Sequence, residues 1–393
     1  MNNLRLIHLT SVEELRAAAS NWDDLWWRSD AVLPTVRAEM VAQWVEQFKP
    51  RAAFHTLVIA DDGRWVAALP LVVCRVGWVI PAGGLPSNPW APCGELLLDP
   101  AGDVDAALDL LMAAAADLPW QLLWLNEAVP ESPRWQALLR ACDRAKISTS
   151  YHERFRVGRV EIDRTWEIYQ KRLPKSHRQS MNRSLRRLAC EGDVQFEMRS
   201  RLTVEEVEPW LQAAFEVEDR GWKGEAGTSV LRTPGVFRFF TRQAEQLARW
   251  DQLETAALRL DGRIVAFVCG FRAKGVYFAH KIGYDSRFAA FSPGQLLFHH
   301  ILERLHSEGG TQALNFMGPL NQALSRWRPA TYGVGRLALA PHRLLGRAAL
   351  YGYKHWWRPL RTLEAAAAAR LHDHSKVPSI EDSVILEPAG SAR

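Results

Sequence analysis

Residues 253–318 read LETAALRLDGRIVAFVCGFRAKGVYFAHKIGYDSRFAAFSPGQLLFHHILERLHSEGGTQALNFMG. Two apolar runs, Leu253–Leu260 and Arg263–Arg272, meet at Asp261-Gly262. That pair suits a two-residue hairpin, because both positions tolerate positive φ. A third run, Val276–Tyr284, also has strand character. Ser292-Pro293-Gly294-Gln295 then opens an amphipathic helix, Gln295–Ser307. Ser292 and Gln295 have capping-box spacing, and Pro293 falls at the favoured first helical position. Gly309-Gly310 stops the helix, and Ala313–Met317 reads as a buried strand. A helix that starts after a strand points its unpaired N–H groups outward with a partial positive charge. This is a seat for a phosphate, and the bare Cα of Gly294 permits close approach. The same residues also serve simply to start a helix.

Three segments carry a family resemblance: Lys281-Ile282-Gly283-Tyr284-Asp285, Ser292-Pro293-Gly294 and Asn315-Phe316-Met317-Gly318. They resemble the acyl-CoA-binding half of a GCN5-related (GNAT) acetyltransferase, and more narrowly the acetyltransferases associated with cellulose biosynthesis. The basic run Arg172–Arg187 and Trp222-Lys223-Gly224 with Gly227-Thr228-Ser229 are similar to that family as well. The resemblance spans Trp166 to Gly318. It departs from the family at the phosphate loop, usually Gln/Arg-x-x-Gly-x-Gly/Ala, where this chain has only Ser-Pro-Gly.

The resemblance implies an α/β fold: tandem GNAT-like domains, each a mixed, mostly antiparallel sheet flanked by helices. It implies acetyl-CoA or another acyl-CoA as co-substrate, no metal, and a sugar or small-molecule acceptor linked to polysaccharide-synthesis machinery. In that fold the strand before the phosphate helix holds the pantetheine arm, and its amide polarises the thioester carbonyl. The corresponding residues here are Lys281, Ile282 and Gly283, with Ser292, Pro293, Gly294 and Gln295 at the phosphates. Direct attack by an amine or hydroxyl needs a base. His280, Tyr284 and Asp285 are the candidates; they equally suit a strand-face residue, a packed ring and a turn cap. Tyr332 is the candidate acid for the leaving thiolate. Trp222, Lys223 and Asn315 are candidates for acceptor binding.

The rest of the chain frames this reading. At 393 residues, 48% hydrophobic, it is long enough for two domains with real cores. A net charge of +5 suits an anionic ligand but is far from the profile of a dedicated nucleic-acid binder. The first residues lack a secretory apolar region, and the apolar run Val66–Cys74 is too short to span a bilayer. A cytoplasmic protein is expected. Five scattered cysteines, with no Cys-x-x-Cys pair, give no disulfide framework or zinc motif. His299, His300, Glu303 and His306 share one helix, but no second ligand set accompanies them, so packing is the expected role. The seventeen tryptophans are read as core, with sugar stacking the sharper alternative.

An internal likeness divides the chain. Leu57–Ala60, Asp62-Gly63 and Arg64–Val73 mirror the hairpin at Asp261-Gly262. Trp78–Ile80, Val104–Leu118 and Gln121–Asn126 then mirror strand, helix and strand. Asp99 and Asp103 precede the first helix and repel a phosphate, whereas no acid stands between Asp285 and Glu303. The expected organisation is therefore a degenerate domain over 1–150 and an acyl-CoA-binding domain over 151–341. A helical extension, 342–371, and a disordered tail, 372–393, follow. Two rivals stay open. One is an aminoacyl-tRNA-dependent transferase of the peptidoglycan-bridge type, served by the cationic face of the helix through Met181, Leu185 and Leu188. The other is a non-catalytic scaffold of polysaccharide synthesis.

Overall fold

The structure, a computed structural model, describes residues 3–76, 80–341 and 344–357; the side chains of Trp222, Trp356 and Trp357 are also outside the described set. Trp78, most of the expected helical extension and the whole tail fall outside the described residues. Within 344–357 a helix, Leu344–Gly352, and a π-helical turn, Tyr353–Trp357, are present.

A thirteen-stranded mixed sheet organises the chain. The first half supplies β1 (Leu4–Leu9), β2 (Phe54–Asp61), β3 (Arg64–Val76), β4 (Ile80–Gly84), the short β5 (Leu97–Leu98) and β6 (Leu122–Ala128). β7 (Ser148–Glu161) ends the first half. The second half supplies β8 (Val194–Arg199), β9 (Leu253–Leu260), β10 (Arg263–Ala273), β11 (Val276–Tyr284), β12 (Ala313–Pro319) and β13 (Ala330–Ala340). The main helices are α1 (Ala19–Arg28), α2 (Ala38–Phe48), α3 (Val104–Ala116), α4 (Pro133–Arg144), α5 (Lys175–Ala189), α6 (Val204–Asp219), α7 (Val236–Arg249) and α8 (Pro293–Glu308).

Both hairpins read from the sequence form. Asp62 and Gly63 have φ of 46° and 85°, Asp261 and Gly262 of 48° and 77°, the paired positive values a tight hairpin needs. The spatial strand order is β1-β2-β3-β4-β6-β13-β7-β12-β11-β10-β9-β8, with β5 beside β3. Its two ends mirror each other: antiparallel strands, then a parallel pair, β4–β6 on one side and β11–β12 on the other. At the centre the halves exchange strands. β7 pairs with β12, β13 pairs with β6, and β7 and β13 pair with each other from Ala330↔Arg159 to Ala340↔Ser148.

Helices cover both sheet faces, which is why β10 is buried at nearly every position rather than alternating. On one face a single apolar cluster joins Trp22, Trp26 and Trp44 of the first half to Phe215, Phe239, Phe267 and Phe271 of the second. On the other, α5 and α8 pack over Val268, Tyr277, Ala279 and Phe316. Trp22, Trp26, Trp135 and Trp327 are fully buried, so packing accounts for these rings.

The halves are also joined by charge. Glu46 on α2 accepts from Arg16 and, at 2.8 Å, from Arg242 on α7. The Arg16 hydrogen bond, then that of Arg242, holds the Glu46 carboxyl below its ordinary value. A folded pKa below the unfolded one stabilises above about pH 4.3, and that contribution disappears as pH falls through the folded value. Glu46→Gln is expected to lower stability at pH 7 by about 1 kcal/mol, and the gap to the parent should close below about pH 4. Urea unfolding at pH 7 and pH 3.5 checks both; an equal gap at the two values refutes the linkage.

Candidate active site

The parallel ladder between β11 and β12 runs only from Val276↔Ala313 to Phe278↔Asn315. β11 nevertheless continues to Tyr284 and β12 to Pro319, so the two strands part into a fork. Among the described residues, β11 beyond Phe278 pairs only with β10, and its edge toward β12 offers backbone groups without a strand partner. The register with β10 explains the parting. Cys269 opposes Lys281 and Phe271 opposes Phe278, so Gly270 alone faces Ala279 and His280. This is a bulge on β11. A Cβ at position 270 would stand 2.5 Å from the Phe278 carbonyl and 2.8 Å from the Tyr277 hydroxyl, so the bulge requires glycine there.

α8 begins beside the fork, and its start differs from the expected capping box. Ser292 sits at φ 52°, in the left-handed region, and its side chain makes no cap hydrogen bond. The chain bends there out of a 3₁₀ turn, Ser286–Phe291, and the bend turns the hydroxyl from the capping position. The N–H groups of Gln295 and Leu296 share the Ser292 carbonyl at 3.0 and 3.1 Å, and Pro293 has none to offer. The Gly294 N–H forms no bond among the described residues, and the side chain nearest to its missing Cβ is Tyr284, at 3.8 Å. Gln295 Oε1 is buried there without a partner. Arg187 of α5 lies over the Phe291 ring at 5.2 Å, which brings a cation to the same mouth. A free amide, a bare Cα and a nearby guanidinium fit a diphosphate. The matching helix start in the first half is closed by its own chain. Asp103 accepts from the Ala106 N–H at 3.1 Å, and the buried Asp99 pairs with Arg28.

The remaining candidates fall around the fork. Asn315, the last β12 residue paired with β11, donates from Nδ2 to the Tyr332 hydroxyl at 2.7 Å, and its Oδ1 accepts from the Met317 N–H. The Tyr332 oxygen therefore accepts one bond and keeps its own proton to give. Burial pushes the Tyr332 phenol up, so it stays protonated at neutral pH. Tyr284 is 48% exposed and flanks Gly294. Asp285 is 1% exposed; Arg287 grips it at 2.6 Å, Arg220 lies 3.7 Å away, and Arg287 holds its carboxyl below the usual range. Ile282 packs into the cluster under α8, and a Cβ on Gly283 would strike Phe267 at 2.4 Å.

The bulge breaks strand alternation, and His280 and Lys281 both meet Phe240 on the α7 side. His280 Nε2 faces the Trp90 carbonyl at 3.1 Å, and burial then Lys281 drives its pKa down to about 3. Lys223 binds Glu218 at 2.6 Å. Gly224 must be glycine, since a Cβ there would overlap the Asp219 carbonyl at 1.7 Å. Trp90 and Phe240 carry no motif in the sequence and emerge only from the packing.

Other features lie elsewhere. A hollow of about 160 Å³ opens between β8 and α8, and a shallow depression lies along α6. Neither touches the fork, which combines free backbone edges with poised polar side chains. On α8, His299, His300 and Glu303 hold ligand-type atoms within 4.8 Å of one another, but their rings pack on Trp166 and Phe196. No helix among the described residues is long and apolar enough to cross a membrane.

Comparison with known proteins bears on the fold. FemX is 10% identical, covers 85% of this chain and 96% of its own, and superposes with a TM-score of 0.56. A conserved protein of unknown function from Bacteroides thetaiotaomicron is 14% identical, with 86% and 100% covered and a TM-score of 0.52. The C-terminal domain of a candidate lysylphosphatidylglycerol synthetase from Agrobacterium fabrum is 14% identical, with 86% and 95% covered and a TM-score of 0.51. At these identities the likeness concerns fold alone. No curated protein matches the sequence. Residues 175–324, less than half the chain, match the family model described as "Acetyltransferase (GNAT) domain". The segment that holds the fork and the mouth of α8 is thus similar to a GNAT acetyltransferase domain.

Proposed function

We propose that the chain is an acyl-CoA-dependent acyltransferase. It moves an acetyl or longer acyl group to an amine or hydroxyl of a sugar-like acceptor in exopolysaccharide or envelope assembly, by direct attack on the thioester. The observation that carries this is the fork between β11 and β12, opening beside the uncapped start of α8. The pantetheine arm lies along the free edge of Lys281, Ile282 and Gly283, and the diphosphate meets Ser292, Pro293, Gly294 and Gln295. An edge amide polarises the thioester carbonyl as negative charge develops on it. The cytoplasm, where CoA thioesters are made, is the setting this reading requires. Isothermal titration with acetyl-CoA and longer acyl-CoAs tests it; no heat and no thermal shift with any of them defeats it.

Tyr332 is the acid of this scheme, giving its proton to the departing thiolate. Tyr332→Phe keeps the ring but removes the proton, so kcat should fall roughly 10²-fold with KM for the acyl-CoA nearly unchanged. An unchanged kcat removes Tyr332 from the chemistry.

A second reading keeps the acyl-transfer site but draws the acyl group from an aminoacyl-tRNA. It is favoured by α5, whose Arg183, Arg186 and Arg187 are exposed opposite the buried Met181 and Leu188. A gel shift with charged tRNA that weakens with salt supports it; no shift at low salt rejects it.

A further inference from the structure

Lys281 faces away from α8, into the space between β11 and the end of α6. Its ammonium stands 4.9 Å from the ring centre of Trp90 and 4.9 Å from that of Phe240. Trp90 comes from the first half, in the loop after β4. That loop is fixed against the fork by His280 at the Trp90 carbonyl and by Asn88 Oδ1, which accepts from the Trp90 N–H at 2.9 Å. Among the described residues the Lys281 ammonium makes no hydrogen bond and no ion pair. The acid nearby, Glu218, is 6% exposed and already committed. One of its oxygens takes Lys223 Nζ at 2.6 Å, the other the Val230 N–H at 3.1 Å.

A half-buried ammonium carries three protons and needs acceptors for them. Two aromatic faces recover only part of that cost. Burial, then the charge of Lys223, lowers Lys281 to about 8, and an arriving anion acts in the opposite direction. Asn315 and its register partner Phe278 point to this same face of the sheet, so the Tyr332–Asn315 pair lies on the Lys281 side of the fork.

We propose that Lys281, walled by Trp90 and Phe240 and backed by Lys223, seats an anionic group of the acyl acceptor, a carboxylate or a phosphate ester. The word acceptor rests on the acyl-transfer reading above; the anion seat does not. The fork then separates two charges. The donor's diphosphate is held at the mouth of α8, the acceptor's anion at Lys281, and the attacking atom lies between them, near Tyr332. The rings take the apolar face of the acceptor, and the anion fixes which of its amines or hydroxyls reaches the thioester.

The test is amine labelling of the full chain by pyridoxal 5′-phosphate, trapped with borohydride and mapped by peptide mass. The lysine amine adds to the aldehyde, water leaves to form the imine, and hydride reduces it to a stable secondary amine. Lys281 should be labelled on the order of tenfold faster than exposed Lys175, because burial lowers the Lys281 amine to about 8. Pyridoxal, which lacks the phosphate that the backing Lys223 attracts while the aldehyde meets Lys281, should label it far more slowly. Glucuronate or glucose 6-phosphate should slow the labelling and glucose should not; the better protector tells carboxylate from phosphate. Lys223→Gln should weaken the protection. Labelling no faster than at Lys175, equal rates with pyridoxal, or equal protection by glucose would each overturn the seat. Acetyl-CoA titration of the same samples separates the two ideas. Fast, anion-protected labelling without acetyl-CoA heat keeps the seat and removes the donor reading. Acetyl-CoA heat with slow labelling does the reverse.

Discussion

Gly294→Trp is expected to remove acyl-CoA binding while leaving the protein folded. Position 294 is the second residue of α8, and the nearest atom to its absent Cβ is a Tyr284 ring carbon at 3.8 Å. A methyl group therefore fits, and in a helix any ordinary side chain is intrinsically better than glycine. The fold has no reason to object. The ligand does: a diphosphate on the Gly294 amide must approach to about 3 Å, and an indole occupies that volume. Affinity for acetyl-CoA should drop at least about 100-fold, close to 2.7 kcal/mol, with a thermal midpoint within a few degrees of the parent. Gly294→Ala should cost only a few-fold. Calorimetric titration of both variants decides it; unchanged affinity in the Trp variant moves the phosphates elsewhere and takes the donor assignment with it.

How much of this was legible beforehand follows from which forces are local. The Asp-Gly turns were readable because positive φ at two consecutive residues is a demand of the chain itself, and both hairpins formed where expected. β11 runs from Val276 to Tyr284, the span its apolar run suggests. The capping box failed because Ser292 is bent into the left-handed region by the turn before it, a constraint that spacing does not record. The fork was beyond reach for another reason. Parting of β11 from β12 depends on one unpaired residue opposite Gly270, and registers between strands are settled by tertiary packing. Asn315 and Tyr332 were each visible as candidates, but their hydrogen bond crosses β7 and joins them only in the folded sheet. Trp90 was hidden more deeply, since it reaches His280 across 190 positions of sequence.

That long reach bears on how the molecule unfolds. β7 and β13 lie in each other's halves of the sheet, and one apolar cluster runs through both halves. A chain joined in this way should lose both halves together. Lys274 gives access to this coupling. It sits in the turn between β10 and β11 at φ 46°, and its ammonium donates to three carbonyls at the end of α1: Trp26, Ser29 at 2.9 Å and Ala31 at 2.8 Å. It also lies 4.5 Å from the centre of the Trp26 ring. Three protons meet three acceptors at a helix C-terminus, where a positive charge is favoured. Lys274→Met keeps the stem but takes the ammonium from all three carbonyls, of which, among the described residues, Trp26 alone retains another donor, the Ser29 hydroxyl at 2.9 Å. Bonds to a charged group are worth about 1.5–3 kcal/mol each and are not additive, so a loss of about 3 kcal/mol is expected. Lys274→Arg should not restore it, because a flat guanidinium cannot aim at three converging oxygens. Urea unfolding followed by tryptophan fluorescence and far-ultraviolet dichroism should show one transition, moved to lower denaturant, with the two signals coincident. A loss below about 1 kcal/mol would mean that α1 is held by packing alone. Two transitions, only one of them displaced, would mean that the exchanged strands do not bind the halves into one folding unit.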